Sequence, residues 1–244
     1  MAKKISIITV TYNDEELLLN TLENIRKIKL LYDVEYIVVD GEVNYKSWHD
    51  DYSDVIDILI VEKDDGIYDA MNKGIEIASG NLIGIINSGD TYEIENFAVI
   101  TGFKGDVLTG DMLKCFRNTS VVIRKTKDDL RFVSRFMPIN HPATFVSSLV
   151  YREYGYFDSA YKLAADNKFI WNLILNNVSI EFVDLVLARM EAGGRSERFS
   201  TLFLRVKEHY QIRSEMDISV YRNIIQSTHG FLYSLRAILW SKMR

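Results

Sequence analysis

Short β-branched runs and amphipathic segments alternate along the first hundred residues. Ile5-Ser6-Ile7-Ile8-Thr9-Val10 predicts a strand, and Asp14 to Lys29 a helix with Leu18, Leu22, Ile25 and Ile28 on one face. Tyr36 to Val39 is a second strand, Glu42 to Asp54 a loop with a short helix, and Val55 to Val61 a third strand. Glu62 to Asp90 then compresses a loop, a helix and a strand into one block. Ile67, Ala70, Met71, Ile75 and Ala78 form a buried helical face, with Asp65 placed to cap it. Leu82-Ile83-Gly84-Ile85-Ile86 is short and apolar on both sides, as an interior parallel strand is. The alternation predicts a parallel α/β sheet with right-handed crossovers.

The polar residues fall where such a sheet would use them. Asn13, Asp40, Asp65 and Asp90 each lie at or just beyond the carboxyl end of a predicted strand. Ligands of open α/β sheets bind at those ends. Any one of the four also suits a cap or turn; together they predict a shared acidic pocket.

Past Gly102 the rhythm changes. Asp106 to Leu113 and Val121 to Lys125 read as strands, Asp128 to Phe136 as a short helix, and Met137 to Pro142 as a rigid loop bracketed by both prolines. Ala143 to Val150 reads as a strand, Tyr151 to Tyr161 as aromatic turns, Ala165 to Asn177 as a helix and Ser179 to Met190 as a strand. Gly193 to Ser196 is a loop, and the chain is helical after Phe199. The expected organisation is two halves of one domain, residues 1–101 and 102–198, sharing a continuous sheet, then a helical extension over 199–244. The last nine residues, RAILWSKMR, hold three cations and no acid. That extension is read either as a membrane-surface helix or as one packed on its own domain or a partner.

Bulk properties narrow the partners. In 244 residues, 48% hydrophobic and 26% charged content is ordinary for a globular protein, and the net charge of −5 argues against nucleic acid. One cysteine, Cys115, excludes a disulfide framework and a Cys-rich zinc site and suits a reducing cytoplasm. The N-terminal apolar run is too short for a signal peptide, and no run approaches the roughly 20 residues of a membrane span.

Several stretches carry a family resemblance. They are SIITVTYND, EYIVVDG, DDGIYDAMNKGIEIASGNLIGIINSGD, NHPATF, YGYFDSAYKLAADNKF and the GGRS loop. Over roughly residues 4–198 the chain resembles family 2 glycosyltransferases of the small bacterial surface-polysaccharide kind. The resemblance implies a GT-A (Rossmann-like) fold, with a mixed, mostly parallel sheet flanked by helices. It also implies an inverting, metal-dependent transfer of one sugar from a UDP-sugar to a lipid-linked or oligosaccharide acceptor. Asp40 matches the acid that reads the nucleobase, and Thr11 and Asp65 match positions lining the nucleotide. Tyr12, Asn13, Asn87 and Ser88 border the same strand ends. Asp90 matches the last acid of the metal motif, for Mn²⁺ or Mg²⁺, and Asp166 the catalytic base. An N-cap role stays open for Asp166, and a structural hydrogen-bonding role for His141, which could otherwise touch the diphosphate or acceptor. Arg195 could reach phosphate from its loop. Asp69, with Asn72 and Lys73, fits an exposed helix face, with a donor contact open to Asp69.

Three departures from the family pattern stand out. The second strand end reads DGEVNYKSW, the metal motif reads Asn-Ser-Gly-Asp, and Ala165 replaces a second acid beside the base. The Gln-x-x-Arg-Trp signature of processive synthases is missing, which favours single transfer. A sugar nucleotidyltransferase and an inactive glycosyltransferase-like binding module are the alternatives. The expected location is the cytoplasm, at the inner face of the membrane, with a homo-oligomer left open.

Overall fold

The computed structural model describes residues 4–44, 46–193 and 199–242. Its centre is a sheet of nine strands among those residues, in the order β3 (Ile58–Val61), β2 (Val34–Asp40), β1 (Ile5–Thr11), β4 (Leu82–Asn87), β8 (Thr144–Ser147), β6 (Val107–Phe116), β9 (Ile180–Glu191) and β5 (Thr91–Tyr92), with β7 (Thr119–Ile123) on β6. β1, β2, β3 and β4 run parallel. β1 and β2 are buried at every position because helices cover both faces. Alternation sorts their side chains. Ile8, Val10, Ile37, Val39, Ile83 and Ile85 join the core under α3 (Ile67–Ile77). Ile5, Ile7, Tyr36, Val38, Leu82 and Ile86 face α1 (Glu15–Lys29), which contributes Leu18, Leu22, Ile25 and Ile28 as its periodicity predicts.

β8 is wedged antiparallel between β4 and β6. Gly84 makes the close approach of β4 possible, since a Cβ there would collide with the rings of Phe145 and Tyr92. β6 pairs antiparallel with β7 and parallel with the long β9. One sheet therefore runs through both halves of the chain, a mixed, mostly parallel α/β architecture flanked by helices. α2 (Trp48–Asp51) follows β2, α4 (Ala98–Gly102) precedes β6, and α6 (Ala165–Leu175) precedes β9.

Several predicted boundaries shift for local reasons. The third strand starts at Ile58, because Val55 and Ile56 donate back to the Tyr52 carbonyl and close a turn. The strand predicted over Ala143–Val150 stops at Ser147, whose hydroxyl accepts from Leu149 N and opens α5 (Ser148–Tyr154). The helix predicted over Asp128–Phe136 is a 3₁₀ segment, Lys127–Phe132, with a Thr126–Asp129 capping box. α3 is capped by Gly66 at φ +128°, not by Asp65; Asp64 accepts Gly66 N, and Asp69 accepts Asp65 N.

The chain closes with a hairpin of α7 (Leu202–Glu215) and α8 (Val220–Lys242). α8 is turned inside out: Asn223 and Gln226 are buried, while Tyr221, Ile224, Ile225 and Leu232 lie exposed. No helix among the described residues is long and apolar enough to cross a membrane.

Candidate active site

The carboxyl ends of the parallel neighbours β1, β2 and β4 lie side by side, where an open α/β sheet has its ligand crevice. At the β1 end Thr11 is buried, and its carbonyl accepts Gly41 N at 3.0 Å. Tyr12, 69% exposed, stands over Gly41, and Asn13 takes a left-handed backbone at φ +51°. Asp40 ends β2 with no exposed surface. Its Oδ1 accepts Glu42 N at 3.0 Å, and its Oδ2 lies 2.9 Å from Lys46 Nζ and 3.4 Å from His49 Nε2. The ion pair with Asp40 and the one with Glu42 raise the Lys46 pKa against the opposing effect of burial. In this conformation the carboxylate expected to read a base is held by a cation six residues on.

The loop after β3 folds over that end. A Cβ on Gly41 would collide with the Asp64 carboxylate, so a larger residue there would push the Asp64 side chain off that end. The Asp65 carbonyl accepts Lys162 Nζ at 2.7 Å, which ties the loop to the second half of the chain. Asp69 is engaged in closing the α3 entry and lies 3.5 Å from Lys73, so it is not the open helix face expected of it.

At the end of β4, Asn87, Ser88, Gly89 and Asp90 form a tight turn with Gly89 at φ +93°. The Ser88 hydroxyl donates to the Val10 carbonyl at 3.3 Å, and Asp90 Oδ2 accepts Asn87 N at 3.2 Å. Burial pushes the Asp90 carboxyl up to about 7, with backbone amides of Asn87 and Glu191 opposing the shift and the Glu191 charge adding to it. Asn87 Oδ1 is buried with no hydrogen-bond partner. A buried carboxylate that gains from a counter-charge, beside an orphaned carboxamide oxygen, suits a hard divalent cation that prefers oxygen ligands. No group of three or more His, Cys, Asp or Glu able to hold a metal occurs among the described residues. The protein's share would therefore be these two oxygens, with water and phosphate filling the remaining positions.

Asp166 lies in the first turn of α6, whose N-cap is Ala164, so capping does not explain the carboxylate. Its Oδ1 accepts the Tyr68 hydroxyl and Asn167 N, both at 2.8 Å, while Oδ2 has no hydrogen-bond partner among the described residues. Burial and the Asp166 charge together raise the Tyr68 pKa well above its usual value, so this phenol stays a donor. Glu208 of α7 accepts the amides of Lys162 and Leu163 at 2.7 and 2.8 Å and fixes the segment leading to Asp166. His141 opens a 3₁₀ turn behind the site, its ring 5.9 Å from that of Phe157; burial lowers its pKa while Asp166 pulls the other way. Arg195 lies outside the described residues.

Tyr68, Lys46 and Glu208 are the site residues that sequence reading passes over. Tyr68 sits on the apolar face of α3 and scans as core; Lys46 and Glu208 sit in stretches with no motif. The structure places acidic and carboxamide oxygens at the ends of β2 and β4, and an oriented carboxylate, Asp166, against Tyr68 of α3.

Residues 6–102 match the model of the family described as glycosyl transferase family 2. An uncharacterized glycosyltransferase of Mycobacterium tuberculosis is 24% identical over 189 residues, covering 69% of this chain and 68% of the relative. A PGL/p-HBAD biosynthesis glycosyltransferase of Mycobacterium bovis is 28% identical over 213 residues, 80% of each chain. Among solved structures, S. aureus TarS 1–349 in complex with UDP-GlcNAc superposes with a TM-score of 0.65 at 18% identity, over 95% of this chain and 72% of that one. The mannosyltransferase PcManGT from Pyrobaculum calidifontis, in complex with GDP-Man and Mn²⁺, gives 0.64 at 14% identity, over 99% and 74%. Motifs, sheet order and these matches agree: residues 6–102 carry a glycosyl transferase family 2 domain, and the chain as a whole has the GT-A fold of glycosyltransferases.

Proposed function

We propose that this glycosyltransferase moves a single sugar, with inversion, from a UDP-sugar to a lipid-linked or oligosaccharide acceptor in building bacterial surface polysaccharide. The observation that carries the mechanism is the asymmetric hydrogen bonding of Asp166. Tyr68 and the Asn167 amide anchor Oδ1 and leave Oδ2 for an acceptor hydroxyl. As that hydroxyl oxygen bonds to the anomeric carbon, its proton passes to Oδ2, and the bond from that carbon to the diphosphate breaks with its electron pair leaving on the nucleotide. One base and one displacement give inversion.

Thr11, Tyr12, Asn13, Asp40 and Asp65 border the nucleotide in this reading, with Asp69 behind them on α3. Lys46 must yield Asp40 for base reading, or bind in its place. Ser88 and Asn87 line the diphosphate side, and Asp90 with Asn87 Oδ1 would hold Mn²⁺ or Mg²⁺. When bound, such an ion supplies charge neutralisation at the leaving diphosphate. His141 and Arg195 are assigned to the diphosphate and acceptor side. The structural neighbours were solved with UDP-GlcNAc and with GDP-Man, which supports a nucleotide-sugar donor.

The exposed stripe of α8 continues into a segment with Arg222, Arg236, Lys242 and Arg244 and no acid after Asp217. This supports peripheral contact with an anionic membrane at its cytoplasmic face, where a lipid-linked acceptor would be found.

Calorimetric titration of UDP- and GDP-sugars, with and without Mn²⁺, tests the donor assignment. Asp166→Asn is expected to bind the best donor with unchanged affinity while transfer falls about 10²–10⁴-fold, the usual contribution of a general base. Transfer at the wild-type rate would remove Asp166 from the mechanism.

A further inference from the structure

Helices α7 and α8 and the loop at 135–137 border an open cavity of about 170 Å³, lined by Arg135, Arg205, His209, Arg213, Gln226 and Ser227 among others. Three of these residues are arginines, and none of the described lining residues is acidic.

Arg213 is the most telling of them. It is 2% exposed, and its contacts are neutral: Asn223 Oδ1 at 2.6 Å, Ser227 Oγ at 2.6 Å and the Ser134 carbonyl at 3.3 Å. Burial lowers its pKa to about 10, which still leaves it charged at neutral pH. No carboxylate pairs with it among the described residues. A buried cation held only by neutral groups costs stability unless an anion joins it. Gln226 Oε1 is also buried without a partner, an acceptor available to a ligand hydroxyl. This explains why α8 turns its polar face inward.

The cavity lies close to Asp166: Met137, which lines it, accepts the side-chain amide of Asn167, the residue next to that carboxylate, at 3.7 Å. Burial with the nearby charges of Arg213 and Arg205 lowers the pKa of His209, another lining residue, to about 4, while Asp166 acts in the opposite sense. Two or three guanidinium groups around one space match the oxygens of a phosphoryl group better than the two of a carboxylate.

We propose that this cavity binds a phosphoryl group carried by the acceptor, with Arg135, Arg205 and Arg213 holding the anion while the acceptor's sugar hydroxyl reaches Asp166. The assignment of an acceptor rests on the proposed function above; the anion site itself does not.

The test uses the full chain with saturating UDP and Mn²⁺, so that the donor crevice is filled, and titrates n-octyl phosphate, inorganic phosphate and neutral octyl glucoside by calorimetry. Octyl phosphate is expected to bind one per chain, at least tenfold more tightly than either control. The rim double variant Arg135→Gln/Arg205→Gln should weaken it at least tenfold with melting temperature and UDP affinity unchanged. Arg213→Gln should weaken it further, though this buried change could also lower stability, which is why the rim variant decides. Unchanged binding in the rim variant, or no binding by the wild type at millimolar concentration, would overturn the site. Inorganic phosphate or an alkyl carboxylate binding as tightly as octyl phosphate would overturn the acceptor assignment. Failure of UDP to bind the wild type would count against the donor reading instead, and the octyl phosphate titration would then be read on nucleotide-free protein.

Discussion

Asp90, the proposed metal ligand, is held in the fold at a cost to stability. Its carboxyl is raised from 3.8 to about 7 by burial, so the folded protein prefers it protonated. The sign follows by linkage: folding is unpenalised below about pH 4, where both states hold the proton, and the contribution is lost as pH rises through 7. Three pH units correspond to about 4 kcal/mol at most. Asp90→Asn is therefore expected to raise the melting temperature at pH 8 by about 5 °C or more, with a smaller gain at pH 5, while abolishing metal-dependent donor binding. Thermal scans at the two pH values read the first effect and calorimetry with Mn²⁺ the second. Equal melting temperatures at pH 8 would mean the carboxylate is already compensated. At this scale the sequence was informative where chemistry is local. Asn13, Asp40 and Asp90 could be placed because each directly follows a recognisable strand. The Tyr68–Asp166 hydrogen bond joins residues 98 apart, and no local pattern marks a tyrosine on an apolar helix face as a partner for a distant carboxylate.

Elements with strong periodicity were legible, and those that share one apolar run were not. α1 matches its predicted face because fifteen residues carry an unbroken 3.6-residue repeat. β8 and α5 run together as Ala143–Val150 because a four-residue strand cannot be told from a helix start by apolar content alone. The division comes from the Ser147 hydroxyl. α8 is amphipathic as read, but among its described residues the buried stripe is the polar one, satisfied by Arg213 and Ser134. The outward apolar stripe of Tyr221, Ile224, Ile225 and Leu232, each at least 38% exposed, then needs its own cover. For the membrane reading, co-sedimentation with vesicles containing anionic lipid should fall several-fold on deleting residues 231–244 and recover poorly at high salt. Retained sedimentation in the deletion would return the helix to a packing role.

For the molecule as a whole, the parallel first half follows from alternating strands and helices, and right-handed crossovers leave little freedom in their order. The second half could not be ordered from its sequence. β8 pairs with β4 from more than fifty residues away, and β5, only two residues long, joins β9 across the sheet. Such pairings join segments far apart in the chain, and no local propensity encodes them. Family resemblance supplied the overall fold where periodicity could not.

The seating of β8 against β4 has a practical consequence for anyone dividing this chain. The family match ends at residue 102, which invites expression of the first half as a self-contained nucleotide-binding module. Cutting there would strip β4 of its neighbour and lay open the backbone of Leu82, Ile83 and Gly84, together with the apolar faces around them. An unprotected, flat, apolar strand edge is a template for intermolecular pairing. A fragment of residues 1–102 is expected to form oligomers that bind thioflavin and sediment rapidly at micromolar concentration, whereas the intact chain stays dispersed; a monomeric fragment by analytical ultracentrifugation would refute this. The end of the family match, on this view, is not a boundary of folding: the strand supplied by the second half acts as a built-in chaperone for the sheet edge of the first.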